Sequence, residues 1–544
     1  MKKTLDYIIS NYAVFLFATM LFFPFFFSFS AYNSDIQKRL LTNCLYVIIV
    51  SIVFMLCQGR LRKILTILVT IVSFVPNMIV MSFLLMDNTV LKNTDFWVVF
   101  NSNPAEASNL LSTLPSSVFV WSTIYTILLV ISVVLIFKRN YQKTMSLFVQ
   151  VLAISFLLVI SVINPFRSKV PMIDFYKSFY NYQREMREVA EFYRQRQNIK
   201  LDVNCTLPES KKTILIVIGE SQNRQHMQLY GYTRPTNPLL TEISNELICY
   251  NNVCSPAIQT LPCMKQILSF ANYERPDLYK EEANIIELLQ SSGYKTFWYD
   301  NQGKSKNRAF AIDTYTPTSY RTMAKQSEVY DDSKSCARDS SMIAQLDIAL
   351  QDTANSKVIF LHLIGNHFDY KNRYEQNFDV YKNSEGINSP FAVSLSTKQL
   401  EILNSYDNAT LYNDYIISTF IEMLRKQEGM TAMLYFSDHG EEVYDFQLYS
   451  GRSFEKISPS MCDIPLILWM NGTYRNLTNL YIEKDIPICT DDIIYGIMDL
   501  AGIKYAMYES ERSIFNQSYQ SKERMVQGKT YQSICNSCQN NRIF

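Results

Sequence analysis

Residues 431–442 read TAMLYFSDHGEE, and the apolar run from Met433 to Phe436 stops at Asp438-His439-Gly440. A buried strand ending there delivers a carboxylate and an imidazole at once, a donor pair suited to zinc or another first-row metal. Gly440 is expected to let the backbone turn sharply. Two other stretches repeat the arrangement. TILIVIGES (213–221) ends on Gly219-Glu220-Ser221, and KVIFLHLIGNH (357–367) ends on Gly365-Asn366-His367. In a parallel α/β sheet the carboxyl edge of the strands is where ligands bind. Taken singly, Asp438 could cap a helix and His439 could sit on the surface. The threefold repetition is what points to a metal site.

A metal among Glu220, Asp438 and His439 can lower the pKa of a coordinated hydroxyl and balance charge on a phosphoryl group. The stretch CSPAIQTLPCMKQILSF, 254–270, offers that hydroxyl. Thr260 precedes a helix-like segment with Pro262 in its first turn, and a helix start binds phosphate through its free amides. Thr260 is expected to be a nucleophile rather than only an N-cap, with Ser255 and Ser221 as alternatives. His367 lies beyond its apolar run and is expected to face the site as ligand or phosphate donor. His362, inside the run, is expected to be structural, and His226 fits either a site or a surface position.

These elements sit in a chain of 544 residues with 48% hydrophobic content and a formal net charge of +1. That charge excludes a nucleic-acid binder relying on a strong basic field. Apolar stretches at about 8–31, 40–57, 64–86, 118–137 and 144–163 each approach the ~20 residues needed to span a bilayer. The first has no small-residue cleavage site after it, unlike a signal peptide. Lys2, Lys3, Arg60, Arg62, Lys63, Lys138, Arg139 and Lys143 fall on one side. Basic residues favour the cytoplasmic face, so five spans place everything after residue 165, and the 87–117 loop, outside the cytoplasm. Phe175, Phe179, Tyr182, Met186, Val189 and Phe192 recur at helical steps beside Arg184, Arg187, Arg194 and Arg196. A helix over 174–196 follows, lying on the membrane surface or packed on the next domain.

From about 206 the pattern becomes alternating β and α, with strands expected at 213–218, 294–300, 357–363, 431–436 and 464–469. The expected organisation is thus a transmembrane domain of five helices (1–165), an amphipathic interfacial linker (166–205) and an exported α/β domain (206–544). Nine of the eleven cysteines follow residue 200, where an exported domain can oxidise them. Cys254 and Cys263 bracket a short loop and are expected to pair.

The chain resembles the membrane phosphoethanolamine transferases of the alkaline phosphatase/sulfatase superfamily, which modify lipid A or the lipopolysaccharide core and include the polymyxin-resistance enzymes. The resemblance is carried by IGESQNRQHMQLYGYTRPTNP from 218, GNHFDYKNRY from 365, YDNATLYNDYI from 406 and SDHGEE from 437. It implies an inner-membrane protein with a periplasmic sulfatase-like α/β domain, its central sheet largely parallel and flanked by helices. It implies zinc, as one ion or two, held by Glu220, Thr260, Asp438 and His439; the donor set is also compatible with manganese. Phosphatidylethanolamine would be the donor and a lipopolysaccharide core sugar or lipid A the acceptor, with Thr260 forming a phosphoethanolamine ester. His367 matches a family His near the substrate phosphate. Asn103 and Glu106, in NSNPAEASNLL (101–111), match a segment near the lipid site. TLPCMKQILSFAN resembles the branch acting on core heptose more than the lipid A branch, whose loop is longer. Residues 443–465 contain no His, where members often carry one. Two other readings use the same residues: a phosphoglycerol transferase of the lipoteichoic-acid or glucan-modifying type, and an inactive membrane-anchored binding protein.

Overall fold

The computed structural model describes residues 11–28, 34–57, 59–87, 116–138, 146–162, 169–196, 201–205, 211–302, 320–321, 338–453 and 456–541. The chain divides into two compact units, one formed by Met1–Phe100 and Ala107–Glu185, the other principally Met186–Phe544. The division falls inside the helix Pro171–Arg196, which covers the amphipathic stretch.

The first unit is helical. Three described helices are long and apolar enough to cross a membrane: Gln37–Leu56, Gly59–Leu85 and Ser116–Lys138. Tyr12–Leu21 and Leu147–Val162 are shorter apolar helices. Among the described residues, the buried polar side chains of Asn77 and Arg62 are partnered, as a water-poor environment requires. Asn77 Nδ2 donates to Tyr125 Oη at 3.2 Å. Arg62, almost wholly buried, donates to the carbonyls of Cys57 (2.6 Å) and Met55 (3.1 Å) at the carboxyl end of the preceding helix. Those carbonyls lack helical partners, so the guanidinium caps them.

The second unit is built on a seven-stranded sheet: β1 (Lys212–Gly219), β2 (Leu247–Cys249), β3 (Lys295–Asp300), β4 (Tyr320–Arg321), β5 (Ser356–His362), β6 (Met430–Ser437) and β7 (Leu466–Met470). Across the sheet the order is β2, β7, β6, β1, β5, β3, β4. β6, β1, β5, β3 and β4 run parallel, while β7 is antiparallel to both β6 and β2. The sheet is therefore mixed on one side. β1 is buried along its whole length: Ile214, Ile216 and Ile218 enter one apolar core, and Leu215 and Val217 the other. This two-residue alternation explains why its sequence is continuously apolar, since helices cover both faces. The longest helix of this unit, Thr397–Arg425, opens with a capping box between Ser396 and Gln399 and packs Tyr412, Ile416 and Phe420 into the second core.

The expected Cys254–Cys263 bridge is not formed; all ten described cysteines are free. Cys263 lies in the helix Thr260–Ile267 with its thiol 3.2 Å from the Ala257 carbonyl. Cys254 instead faces Cys489, its partner in a short parallel pairing of Val253–Cys254 with Ile488–Cys489. Strand pairing 235 residues apart, not loop spacing, sets its neighbour.

Candidate active site

Three adjacent parallel strands, β6, β1 and β5, end side by side, with Gly219 opposite Ser437 and Ile218 opposite both Phe436 and His362. The hydrogen-bond ladder continues past the strand ends: Leu363 N donates to Ile218 O, Asp438 N to Gly219 O and Asn366 N to Glu220 O, each at 2.9 Å. The turns that carry Glu220, Asp438 and His367 are thus tied to one another by backbone. Two glycines make this possible. A Cβ on Gly365, at φ +44°, would lie 2.8 Å from the Glu220 carbonyl oxygen. A Cβ on Gly440 would lie 2.1 Å from the Ser460 carbonyl oxygen, so that residue serves close approach rather than a left-handed turn.

Glu220, Asp438 and His439 are fully buried and offer ligand atoms within 4.8 Å of one another. His439 Nδ1 is 2.8 Å from the Gly440 carbonyl, to which it donates, and this leaves the Nε2 lone pair pointing inward. Around Nε2 lie Glu220 Oε1 at 3.3 Å, Asp438 Oδ2 at 3.4 Å and Thr260 Oγ1 at 3.4 Å. Thr260 is the first residue of its helix; Gln259 is the N-cap and makes no side-chain cap bond. The Thr260 hydroxyl therefore caps nothing and donates to Glu220 Oε2 at 3.0 Å. Asp438 Oδ1 accepts from the amides of His439 (2.7 Å) and Ser221 (3.2 Å), whereas Oδ2 is buried without a hydrogen-bond partner. A partnerless buried carboxylate oxygen beside an imidazole lone pair fits a metal ion, because such an oxygen is otherwise costly. Burial lifts the Asp438 carboxyl above its ordinary range, with Glu220 adding to the effect.

The other expected residues fall as follows. His367 is buried just past β5, with Nδ1 3.4 Å from the Phe368 carbonyl. His362 is the last residue of β5, buried, with Nδ1 3.3 Å from Asp300 Oδ2. Ser221 Oγ donates to Glu220 Oε1 at 2.8 Å, whereas Ser255 Oγ turns away to the Ala257 carbonyl. Asn103 and Glu106 lie outside the described residues.

Two contacts escaped the sequence. Gln302 Nε2 donates to Glu220 Oε2 at 2.9 Å. Arg452 Nη1 donates to His439 Nε2 at 2.6 Å. Neither belongs to a run or spacing that marks it. The 406 motif proves to be scaffolding on the long helix. Tyr406 bridges Ser221 O and Asn223 N, and Asp407 receives His226, Tyr232 and Arg234. His226 is buried between Asp407 and Asp445, at 2.6 and 3.2 Å.

Residues 212–503 match the family model described as Sulfatase. The chain is 30% identical over 363 residues to phosphoethanolamine transferase EptC of Escherichia coli K12, covering 65% of this chain and 62% of that protein. It is 31% identical over 327 residues to phosphoethanolamine transferase CptA of Salmonella typhimurium, covering 58% and 56%. It thus spans less than two thirds of the length of either relative. Similarity to EptC and CptA agrees with the leaning toward the core-modifying branch. The C-terminal periplasmic domain of Escherichia coli EptC in complex with zinc superposes with a TM-score of 0.55 at 30% identity, covering 60% of this chain and 91% of that one. The integral membrane lipooligosaccharide phosphoethanolamine transferase A of Neisseria meningitidis covers 94% of this chain and 98% of its own, with a TM-score of 0.62 at 19% identity. It shares the fold of membrane helices with a sulfatase-like domain.

Proposed function

This chain belongs to the sulfatase family, and from that premise we propose that it transfers phosphoethanolamine from phosphatidylethanolamine to a lipopolysaccharide core sugar or lipid A through a Thr260 phosphoester. The observation that carries the reading is the Thr260 hydroxyl, at a helix start, 3.0 Å from Glu220 and 3.4 Å from His439 Nε2. Glu220, Thr260, Asp438 and His439 are the residues that would hold a zinc ion. When bound, zinc supplies positive charge that acidifies the hydroxyl and offsets charge on the phosphoryl group. Thr260 Oγ1 loses its proton toward Glu220 Oε2, its present acceptor, and attacks phosphorus. The phosphorus–oxygen bond to diacylglycerol breaks, and the proton ends on the departing oxygen. His367 donates to a phosphoryl oxygen or assists that transfer. A sugar hydroxyl then displaces Thr260 and restores it. The protein is read as an inner-membrane one with five crossings, the two shorter apolar helices completing the set, and with residues 206–544 as the periplasmic catalytic domain.

Incubation of the full chain with donor lipid alone should add one phosphoethanolamine mass to the Thr260 peptide. Thr260→Ala should keep its fold and metal and lose both half-reactions. An adduct on Ser221 or Ser255, or near-normal transfer by Thr260→Ala, would sink the assignment.

A further inference from the structure

We propose that Arg452 is the residue that binds the phosphoryl group of the substrate at this site; the inference rests on reading the site as a phosphoryl-transfer centre. Ser450–Gly451 pairs antiparallel with Glu442–Val443, Gly451 opposite Glu442, so the hairpin folds back onto the chain that carries the metal ligands. Gly451 adopts φ +119°, a conformation that an L side chain rarely takes, and the next residue is Arg452. The guanidinium reaches three parts of the site at once. Nη1 is 2.6 Å from His439 Nε2 and 3.4 Å from the Ile258 carbonyl, on the loop that leads to Thr260. Nε lies 3.6 Å from Glu441 Oε2, a buried oxygen with no hydrogen-bond partner.

Three features of the site give this placement a role. The first is the acceptor. His439 Nε2 is the lone pair that the ligand set directs at a metal, so Arg452 and a metal compete for it. Once that lone pair is engaged, the Nη1 donor is released while Nε stays beside Glu441. A guanidinium so freed presents parallel N–H groups that match phosphoryl oxygens in a bidentate way. The second is charge. Glu220, Asp438 and Glu441 are all buried, and a single divalent ion leaves them in excess. A phosphodiester adds one more negative charge, and the Arg452 cation offsets it. The third is position. The Arg452 side chain is 24% exposed, whereas those of Glu220, Asp438 and His439 are at 0%. It stands between the ligands and solvent, where an arriving phosphoryl group passes. Residues 443–465 hold no His, and Arg452 is the cation of that stretch whose contact with His439 is seen.

The test uses the full chain in detergent, loaded with zinc, and inorganic phosphate as the probe in a calorimetric titration. Arg452→Gln should weaken phosphate binding on the order of 10- to 100-fold, the loss expected for charge-assisted hydrogen bonds. Zinc content per protein should stay at the wild-type value. Arg452→Lys should fall between the two and decides the matter if the Gln variant does not fold. Unchanged phosphate affinity in the variants overturns the proposal, and so does loss of zinc, which would make Arg452 a support of the metal site. Absence of a Thr260 adduct in the wild type would instead defeat the proposed function, while the phosphate titration still judges Arg452.

Discussion

Two buried charged clusters lie at opposite ends of one short stretch, residues 220–226, and they are completed differently. At the far end His226 is held by Asp407 and Asp445. Asp407 Oδ2 also accepts from Arg234 (2.6 Å) and Tyr232 (2.9 Å), and Asp445 Oδ2 accepts from Asn223 (3.0 Å) and Ser460 (2.9 Å). Each carboxylate oxygen there has a protein partner. At the near end Asp438 Oδ2 and Glu441 Oε2 have none that makes a hydrogen bond. A self-satisfied buried network fixes a backbone, whereas one left short of partners waits for a ligand. By this criterion the first cluster is structural and the second is the candidate site.

The largest effect is expected at the candidate metal site. Asp438→Asn should reduce transfer on the order of 10³-fold or more while changing the unfolding midpoint little once zinc has been stripped from both proteins. Transfer near wild-type level would remove Asp438 from the ligand set. The complementary change is His226→Gln, which leaves Asp407 and Asp445 facing a neutral amide. Unfolding stability should fall by about 3–5 kcal/mol, as for other broken buried ion pairs, with zinc per folded protein unchanged. Denaturant titration and metal analysis of the same sample separate the two effects, and loss of zinc from folded His226→Gln would merge the clusters into one.

A third buried group, Cys254 and Cys489, is free here and is expected to be completed by a covalent bond rather than by a ligand. Cys254 and Cys489 are in register on paired strands, and the Cys254 thiol beside it, together with burial, pushes the Cys489 thiol well up. Exchange with a protein disulfide in an oxidising compartment should join them, at a gain of about 2–4 kcal/mol. Non-reducing peptide mapping should find Cys254 linked to Cys489; a link to Cys263 would restore the expectation from loop spacing.

The most gradual effect is the pH response of the self-satisfied cluster. Burial disfavours the charged His226 ring, yet Asp445 and Asp407 outweigh it and raise its pKa from 6.5 to about 10. Because the folded value lies above the unfolded one, this stabilisation is complete below pH 6.5. It is lost as pH rises through 10, at no more than about 1.4 kcal/mol per pH unit for one proton. The slope of stability against pH across that window should flatten in His226→Gln, and an unchanged slope would assign it to other groups.

The strands that carry Glu220, His367 and Asp438 were legible because each is a continuous apolar run, a pattern local in sequence. The direction of β7 was not, since an apolar strand looks the same in either sense. Thr260 was legible as a hydroxyl opening a helix, but not its escape from the capping role, which depends on Glu220 reaching it from another strand. Arg452, Gln302 and the Cys254–Cys489 pairing were invisible for one reason: each partner comes from a distant segment that only the folded sheet brings close. The 406 motif could be recognised but not interpreted, because its polar residues face inward from a helix whose period alone suggests an ordinary apolar face.

The ladder that runs beyond β1, β5 and β6 has a consequence for motion. The amides of Leu363, Asn366 and Asp438 are bonded as the sheet itself is bonded, so they should exchange with deuterium as slowly as its central strands. The ligand turns then cannot rearrange through small local openings; they move only when the sheet does. Any adjustment to donors and acceptors of different size is left to the hairpin of residues 442–451 and to the arginine that follows it.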